Sequence, residues 1–121
     1  MAGQNPKRLY LDICTLCRPF DYQSQMRIHL ETNAYYLILQ ALEDARYTMV
    51  VSPAHFEEAT AISDVEERQE IVAVLKRLGT MADCHRVAAR ARAEDLHGKQ
   101  FGLADAAHVA LAEATADIFL S

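Results

Sequence analysis

The chain has no long hydrophobic run. Its longest apolar stretch, around Ala34 to Leu42, contains Gln40 and is far too short to cross a bilayer. The opening residues, Met1-Ala2-Gly3-Gln4-Asn5-Pro6-Lys7-Arg8, lack the apolar core of a signal peptide. A cytoplasmic protein with no membrane partner is therefore expected. Cysteine is scarce and odd in number: Cys14, Cys17 and Cys84, as suits a reducing compartment rather than a disulfide framework. Basic charge is in deficit. A formal net charge of −5 argues against a nonspecific nucleic-acid binder, yet suits an acidic pocket that takes up a divalent cation. Repeats, low-complexity tracts and linker-like stretches are absent. The whole chain, 1–121, reads as one domain, long enough to bury a core without disulfides or a structural metal.

What is present is an alternation of strand-like and helix-like segments. Leu9 to Cys14 is an apolar run, expected as a buried parallel strand. Arg18-Pro19-Phe20-Asp21-Tyr22 reads as a loop, because proline disfavours helix at the residue before it. A long helix is expected from Gln23 to Ala45, with Ile28, Tyr35, Leu39 and Leu42 on one face. Tyr47 to Ser52 is a second strand. Ser52-Pro53 then starts a helix that ends near Ile62, with Ser52 as N-cap and Pro53 at the first helical position. Ser63-Asp64-Val65-Glu66 reads as a capping box for a helix that carries Ile71, Val74, Leu75 and Leu78 on one side and stops at Gly79. A short strand at Cys84 to Val87, helices at Ala88 to Leu96 and Leu103 to Ala114, and a strand at Asp117 to Ser121 complete the pattern. Such an order predicts the α/β class, with a parallel sheet flanked by helices.

Asp12 is the most informative residue. It is the single carboxylate at the end of the first apolar run, and ligands of open α/β sheets bind outside the carboxyl ends of the strands. A bare buried charge there is too costly without a partner. Glu58, on the helix after the second strand, and Asp105, in the first turn of the Ala-rich helix, supply two more acids. Glu58 is preferred to Glu57 because Phe56 and Ala59 flank it as apolar neighbours, whereas Glu57 inward would put His55 and Glu58 in those places, a worse fit to a buried face. The other glutamate belongs to a solvated face. Asp105 taken alone is also explained as a first-turn acid favoured by the helix dipole. Clustered carboxylates repel one another, and a cation relieves that repulsion. Hard Mg²⁺ or Mn²⁺ ions take oxygen ligands and serve phosphodiester hydrolysis by activating water and neutralising charge. His108, three residues after Asp105, reads as a satisfied, partly buried histidine before it reads as a catalyst.

The cysteines open other possibilities. Cys14-Thr15-Leu16-Cys17 is a C-x-x-C after a strand, the spacing of a redox pair. Cys84-His85 could in principle join it around zinc, although adjacent residues rarely ligate one tetrahedral ion well. Small buried thiols at a strand end are the simpler expectation. Arg18 and Arg27 stand near the proposed acids and are candidate phosphate contacts. Arg86, Arg90, Arg92 and Lys99 read as a solvated helix balanced by Glu94 and Asp95.

Three segments carry a resemblance. Leu11-Asp12-Ile13-Cys14-Thr15-Leu16-Cys17-Arg18-Pro19-Phe20-Asp21 resembles the opening of a PIN domain, in the subgroup with an Arg-Pro-Phe-Asp loop followed by a helix beginning like Gln23-Ser24-Gln25-Met26-Arg27-Ile28. Gly102-Leu103-Ala104-Asp105-Ala106-Ala107-His108-Val109-Ala110 is similar to the family's Asp-Ala-x-His-x-Ala helix start, and Ala116-Asp117-Ile118-Phe119-Leu120-Ser121 to its last strand. The resemblance implies a three-layer α/β/α fold with a central parallel sheet. It implies a Mg²⁺- or Mn²⁺-dependent endoribonuclease for single-stranded RNA, often the VapC-type toxin of a toxin–antitoxin pair. Asp12, Glu58 and Asp105 match the family's first three acids. Such domains commonly form homodimers and bind an antitoxin protein. Two departures are visible. Cys14 stands where a Ser, Thr or Asn is usual, and the family's fourth acid falls beyond Ser121, as in a chain shortened at its C-terminus. Asp117 cannot replace that acid, since it precedes the strand and about four residues at ~3.3 Å each carry it to the opposite edge. A degenerate PIN domain that binds RNA or protein without cutting is the alternative implied.

Overall fold

The computed structural model describes residues 6–81, 86–99 and 102–120, with the side chains of 86, 103 and 104 left aside. Among the described residues four strands form one sheet: β1 (Lys7–Leu11), β2 (Tyr47–Val51), β3 (Gly79–Met81) and β4 (Ile118–Leu120). They lie in the order β3-β2-β1-β4, and every pairing is parallel. Between β1 and β2 run α1 (Ile13–Cys17), a 3₁₀ turn (Arg18–Phe20) and the long α2 (Met26–Glu43). Between β2 and β3 run α3 (Pro53–Thr60) and α4 (Val65–Leu78). The return from β3 to β4 uses α5 (Arg86–Gly98) and α6 (Leu103–Thr115).

Strand periodicity builds the layers. Successive side chains point to opposite faces, so Leu9, Leu11, Met49 and Val51 face one side, where they pack with Ile13, Leu16, Tyr35, Leu42, Ala59, Ile71 and Leu75 from α1 to α4. Tyr10 and Val50 face the other side and meet Ala112 of α6. The alanines of α6, with Ala106 and Ala110 fully buried, let that helix lie close to the sheet, and α5 packs on α6 through Ala89 and Leu96. The chain first steps from β1 towards β3, then crosses back to β4. Right-handed crossovers taken in opposite directions put their helices on opposite faces, which yields the three-layer α/β/α arrangement.

Several boundaries differ from expectation. The first strand ends at Leu11, and Cys14 lies in α1 rather than at a strand end. Asp64, not Ser63, caps α4: its Oδ1 accepts the Glu67 N–H at 2.9 Å. Asp is as good a cap as Ser, and the shift keeps both Glu66 and Glu67 in the first turn, where the helix dipole favours them. The third described strand is Gly79–Met81, and the strand expected at Cys84 to Val87 is helix where it is described. Val87 belongs to α5, while Cys84 and His85, and with them the zinc alternative, lie outside the described residues, as does Ser121.

Candidate metal centre

Asp12 follows β1 directly. Its N–H donates to the Leu120 carbonyl at 2.8 Å, which extends the β1–β4 pairing by one residue. It occupies the N-cap of α1 with extended backbone, yet its side chain makes no capping bond. Cap aspartates normally use that carboxylate to hold the helix start. Here it is left for something else, although the residue is only 9% exposed.

Glu58 arrives through α3. The helix starts at Ser52-Pro53 because β2 ends at the same rim as β1, and continuing the β1–β2 register sets Ser52 beside Asp12. Glu58 turns inward, half-buried, while Glu57 is exposed. A carboxylate oxygen of Asp12, one of Glu58 and a ring nitrogen of His108 all lie within 4.8 Å of one another. Asp105 is exposed in the first turn of α6 and stands outside that close group. It still belongs to the same rim: the Cys14 thiol is held above its usual range by burial and by Asp12, with Glu58 and Asp105 adding to the effect against Arg18. Among the described residues no ion pair takes in Asp12 or Asp105, and Glu58 pairs with His108 alone.

Behind the acids runs a chain of buried polar groups. His108 Nε2 lies 2.7 Å from Glu58 Oε1, and its Nδ1 2.5 Å from the Tyr10 hydroxyl. That hydroxyl lies 3.0 Å from Ser52 Oγ. His55 Nδ1 accepts the Ser52 N–H at 3.0 Å, and its Nε2 donates to the Leu11 carbonyl at 2.7 Å. Burial pushes the His55 imidazole down to about 4, so it is neutral, and pushes the Tyr10 hydroxyl well above its ordinary value. An acid, a histidine and a hydroxyl in line look like a nucleophile relay. Tyr10 and Ser52 are wholly enclosed, however, and no substrate reaches them. Sequence reasoning assigned Ser52 only as a cap, kept Tyr10 within an apolar run and placed His55 off the buried face. His55 is in fact buried on the same side of α3 as Glu58, three residues apart.

The remaining candidates are placed as follows. Arg18 is engaged by Asp21 at 2.9 Å and Glu31 at 2.5 Å. Arg27 is largely exposed and 3.7 Å from Glu31. Arg90 pairs with Glu94, Arg92 with Asp95 and Glu113, and Lys99 with Asp95, as a solvated helix requires. Cys14 and Cys17 are free thiols. Burial and Glu67 push Cys17 up to about 12, the reverse of the depressed value a redox pair needs. An apolar groove of about 510 Å³, bordered by Leu37, Ile38, Ala41, Tyr47 and Ile118, lies between α2 and the sheet and contains none of the acids. Asp117 lies at the far end of β4, where it takes the Arg8 N–H at 2.8 Å and pairs with its guanidinium.

The donor set fits a metal ion: two carboxylates in close approach with a ring nitrogen of His108 beside them, Asp12 nearly buried and without a counter-charge among the described residues. No protein-family model and no curated protein matches the chain. Among solved structures it is similar to a chain in the crystal structure of FitAcB from Neisseria gonorrhoeae, at 17% identity, with 87% of this chain and 80% of that chain covered and a TM-score of 0.47. A likeness that distant carries no functional argument.

Proposed function

We propose that this chain is a Mg²⁺- or Mn²⁺-dependent endoribonuclease for single-stranded RNA, acting in the cytoplasm as the toxin of a toxin–antitoxin pair. The observation that carries the reading is the approach of Asp12 to Glu58 at the carboxyl rim of the sheet, with Asp12 nearly buried and in no ion pair among the described residues. The ordered motifs that resemble a PIN domain support RNA as the substrate class. Asp12 and Glu58 would hold the ion, with Asp105, one helical turn before His108, as the third acid. A bound divalent ion supplies water activation and charge neutralisation at the scissile phosphate. The chain's own part is to hold two like charges together, so that the site attracts a cation. Arg27 is the cation readiest to meet an RNA phosphate. Arg18 must first release Asp21 and Glu31. An antitoxin and a second copy of the chain are the protein partners this reading brings. Among the described residues no helix is long and apolar enough to cross a membrane.

The test is cleavage of single-stranded RNA with added Mn²⁺. Asp12→Asn and Asp105→Asn are each expected to abolish Mn²⁺-dependent cleavage while the circular dichroism spectrum stays unchanged. Undiminished cleavage by the purified variants would defeat the assignment. The position of Asp105 outside the close group favours one other reading, a non-catalytic RNA- or protein-binding module. Calorimetric titration with Mn²⁺ separates the two, because such a module shows no site-specific uptake of the ion.

A further inference from the structure

We propose that His108 is a positioning residue for Glu58, locked in one tautomer by the Tyr10 hydroxyl, and that it sets the carboxylate for the cation without ligating it. The proposal rests on the metal-site reading above and adds the groups that make the site rigid. Glu58 would otherwise be a loose ligand. Its side chain is 32% exposed, and a glutamate surrenders about 1.5–2 kcal/mol of rotamer entropy when it is immobilised. His108 Nε2, at 2.7 Å from Oε1, supplies that immobilisation from a side chain that is itself enclosed.

With Glu58 ionised and the His108 ring neutral, each proton between Glu58 and Tyr10 has one place. An ionised carboxylate only accepts, so His108 Nε2 carries the hydrogen. The neutral ring then offers a lone pair at Nδ1, and the Tyr10 O–H donates to it across 2.5 Å. Burial holds the Tyr10 proton in place. The Tyr10 oxygen accepts the Ser52 Oγ–H at 3.0 Å. Ser52 gives its backbone N–H to His55 Nδ1, and His55 Nε2–H ends the chain on the Leu11 carbonyl. Ser52 is the branch point: its hydroxyl gives towards Tyr10 and its N–H towards His55, whose Nδ1 also lies 3.2 Å from Ser52 Oγ. In that tautomer the ring's one free lone pair, at Nδ1, is taken by Tyr10, and the protonated Nε2 has none to offer a cation. A carboxylate-bound histidine behind an oxygen ligand is the arrangement by which outer groups tune metal affinity, typically by 10–100-fold.

The competing account is that Glu58 is present only to satisfy a buried histidine. Three measurements separate the two. Nitrogen-15 NMR of the metal-free protein is expected to show His108 protonated at Nε2. A ring protonated at Nδ1 alone overturns the proposal. Calorimetric titration with Mn²⁺ is then made on wild type, His108→Leu, His108→Gln and Tyr10→Phe. His108→Leu is expected to weaken Mn²⁺ binding at least tenfold. His108→Gln, whose amide N–H can reach Glu58, is expected to restore most of it. Tyr10→Phe, which keeps the ring volume, is expected to weaken binding and to mix the His108 tautomers; it carries the test if His108→Leu fails to fold. Equal Mn²⁺ affinity in wild type and the folded variants overturns the positioning role and leaves the metal site standing. Absence of Mn²⁺ binding by the wild type overturns the metal-site reading and the positioning role with it.

Discussion

At the scale of single residues, His55 links the site to stability. Burial lowers its pKa from 6.5 to about 4 in the folded protein. Between those values the unfolded chain binds the extra proton, so stability rises with pH. The contribution is complete above about pH 6.5 and is lost as the pH falls towards 4, with a magnitude of about 3 kcal/mol at 1.36 kcal/mol per unit. Urea denaturation of wild type and His55→Gln at pH 7 and at pH 4 checks this. The wild type is expected to lose more stability than the variant over that interval. A parallel loss in the two would show that His55 does not titrate in this way. Asp12 and Glu58 were legible because a carboxylate ending an apolar run has few structural uses. The network behind them was not. Tyr10 meets Ser52 and His108 at sequence separations of 42 and 98 residues, and such pairings exist only once the sheet and α6 have packed. His55 was misplaced for a related reason: its polar ring suits a buried face only because Ser52 and the Leu11 carbonyl are there to pair with it.

At the scale of elements, two helix ends decide local stability. Gly79 closes α4 and opens β3 in a single residue, with φ −81°. A Cβ there would collide with the Leu75 carbonyl oxygen and with Val51. Gly79→Ala is therefore expected to destabilise by about 1–3 kcal/mol through overpacking, read as a fall in the urea midpoint at constant slope. Its glycine was legible as a helix stop, but the reason is close approach to β2 rather than freedom of φ. At the end of α2, Ala45 has φ 59°. Its N–H reaches the Leu42 carbonyl at 3.1 Å, and the Arg46 N–H reaches that of Ala41 at 3.0 Å, the paired bonds of a Schellman stop. A left-handed alanine costs roughly 1–2 kcal/mol, so Ala45→Gly is expected to stabilise by about 1 kcal/mol after the entropy of glycine is subtracted, with the urea midpoint rising. Nothing in the sequence marked this position, because alanine is the strongest helix former and hides a helix end. The one-residue shift of the α4 cap has the same origin: Ser63 and Asp64 are both good caps, and only the register of Ile71 and Leu75 against the core chooses between them.

At the scale of the whole molecule, the parallel sheet brings residues 12, 58 and 108 to one rim. The alternation of strands and helices made the meeting of Asp12 and Glu58 legible, since parallel strands share one carboxyl edge, but it pointed to Asp105 rather than His108 as the third member. The same packing holds Asp12 and Glu58 together with no Arg or Lys paired to either among the described residues, so under the proposed metal-site reading their mutual repulsion opposes folding and a bound cation would relieve it. Binding to the folded state alone must then raise stability, by about 2.7 kcal/mol at a free ion concentration a hundred times the dissociation constant. For a domain of this size that corresponds to roughly 10 °C in Tm. Saturating Mn²⁺ is therefore expected to raise the Tm of the wild type by about that amount, and EDTA to reverse the rise. Asp12→Asn removes one of the two charges and one oxygen donor of full charge. In the absence of metal its Tm is expected to equal or exceed that of the wild type, and Mn²⁺ is expected to leave it unmoved. A scanning calorimetry series over Mn²⁺ concentration reads both halves at once. If Asp12→Asn melts well below the wild type without metal, Asp12 serves as a structural hydrogen-bonding group, and the repulsion between the two acids is not what readies this rim for an ion.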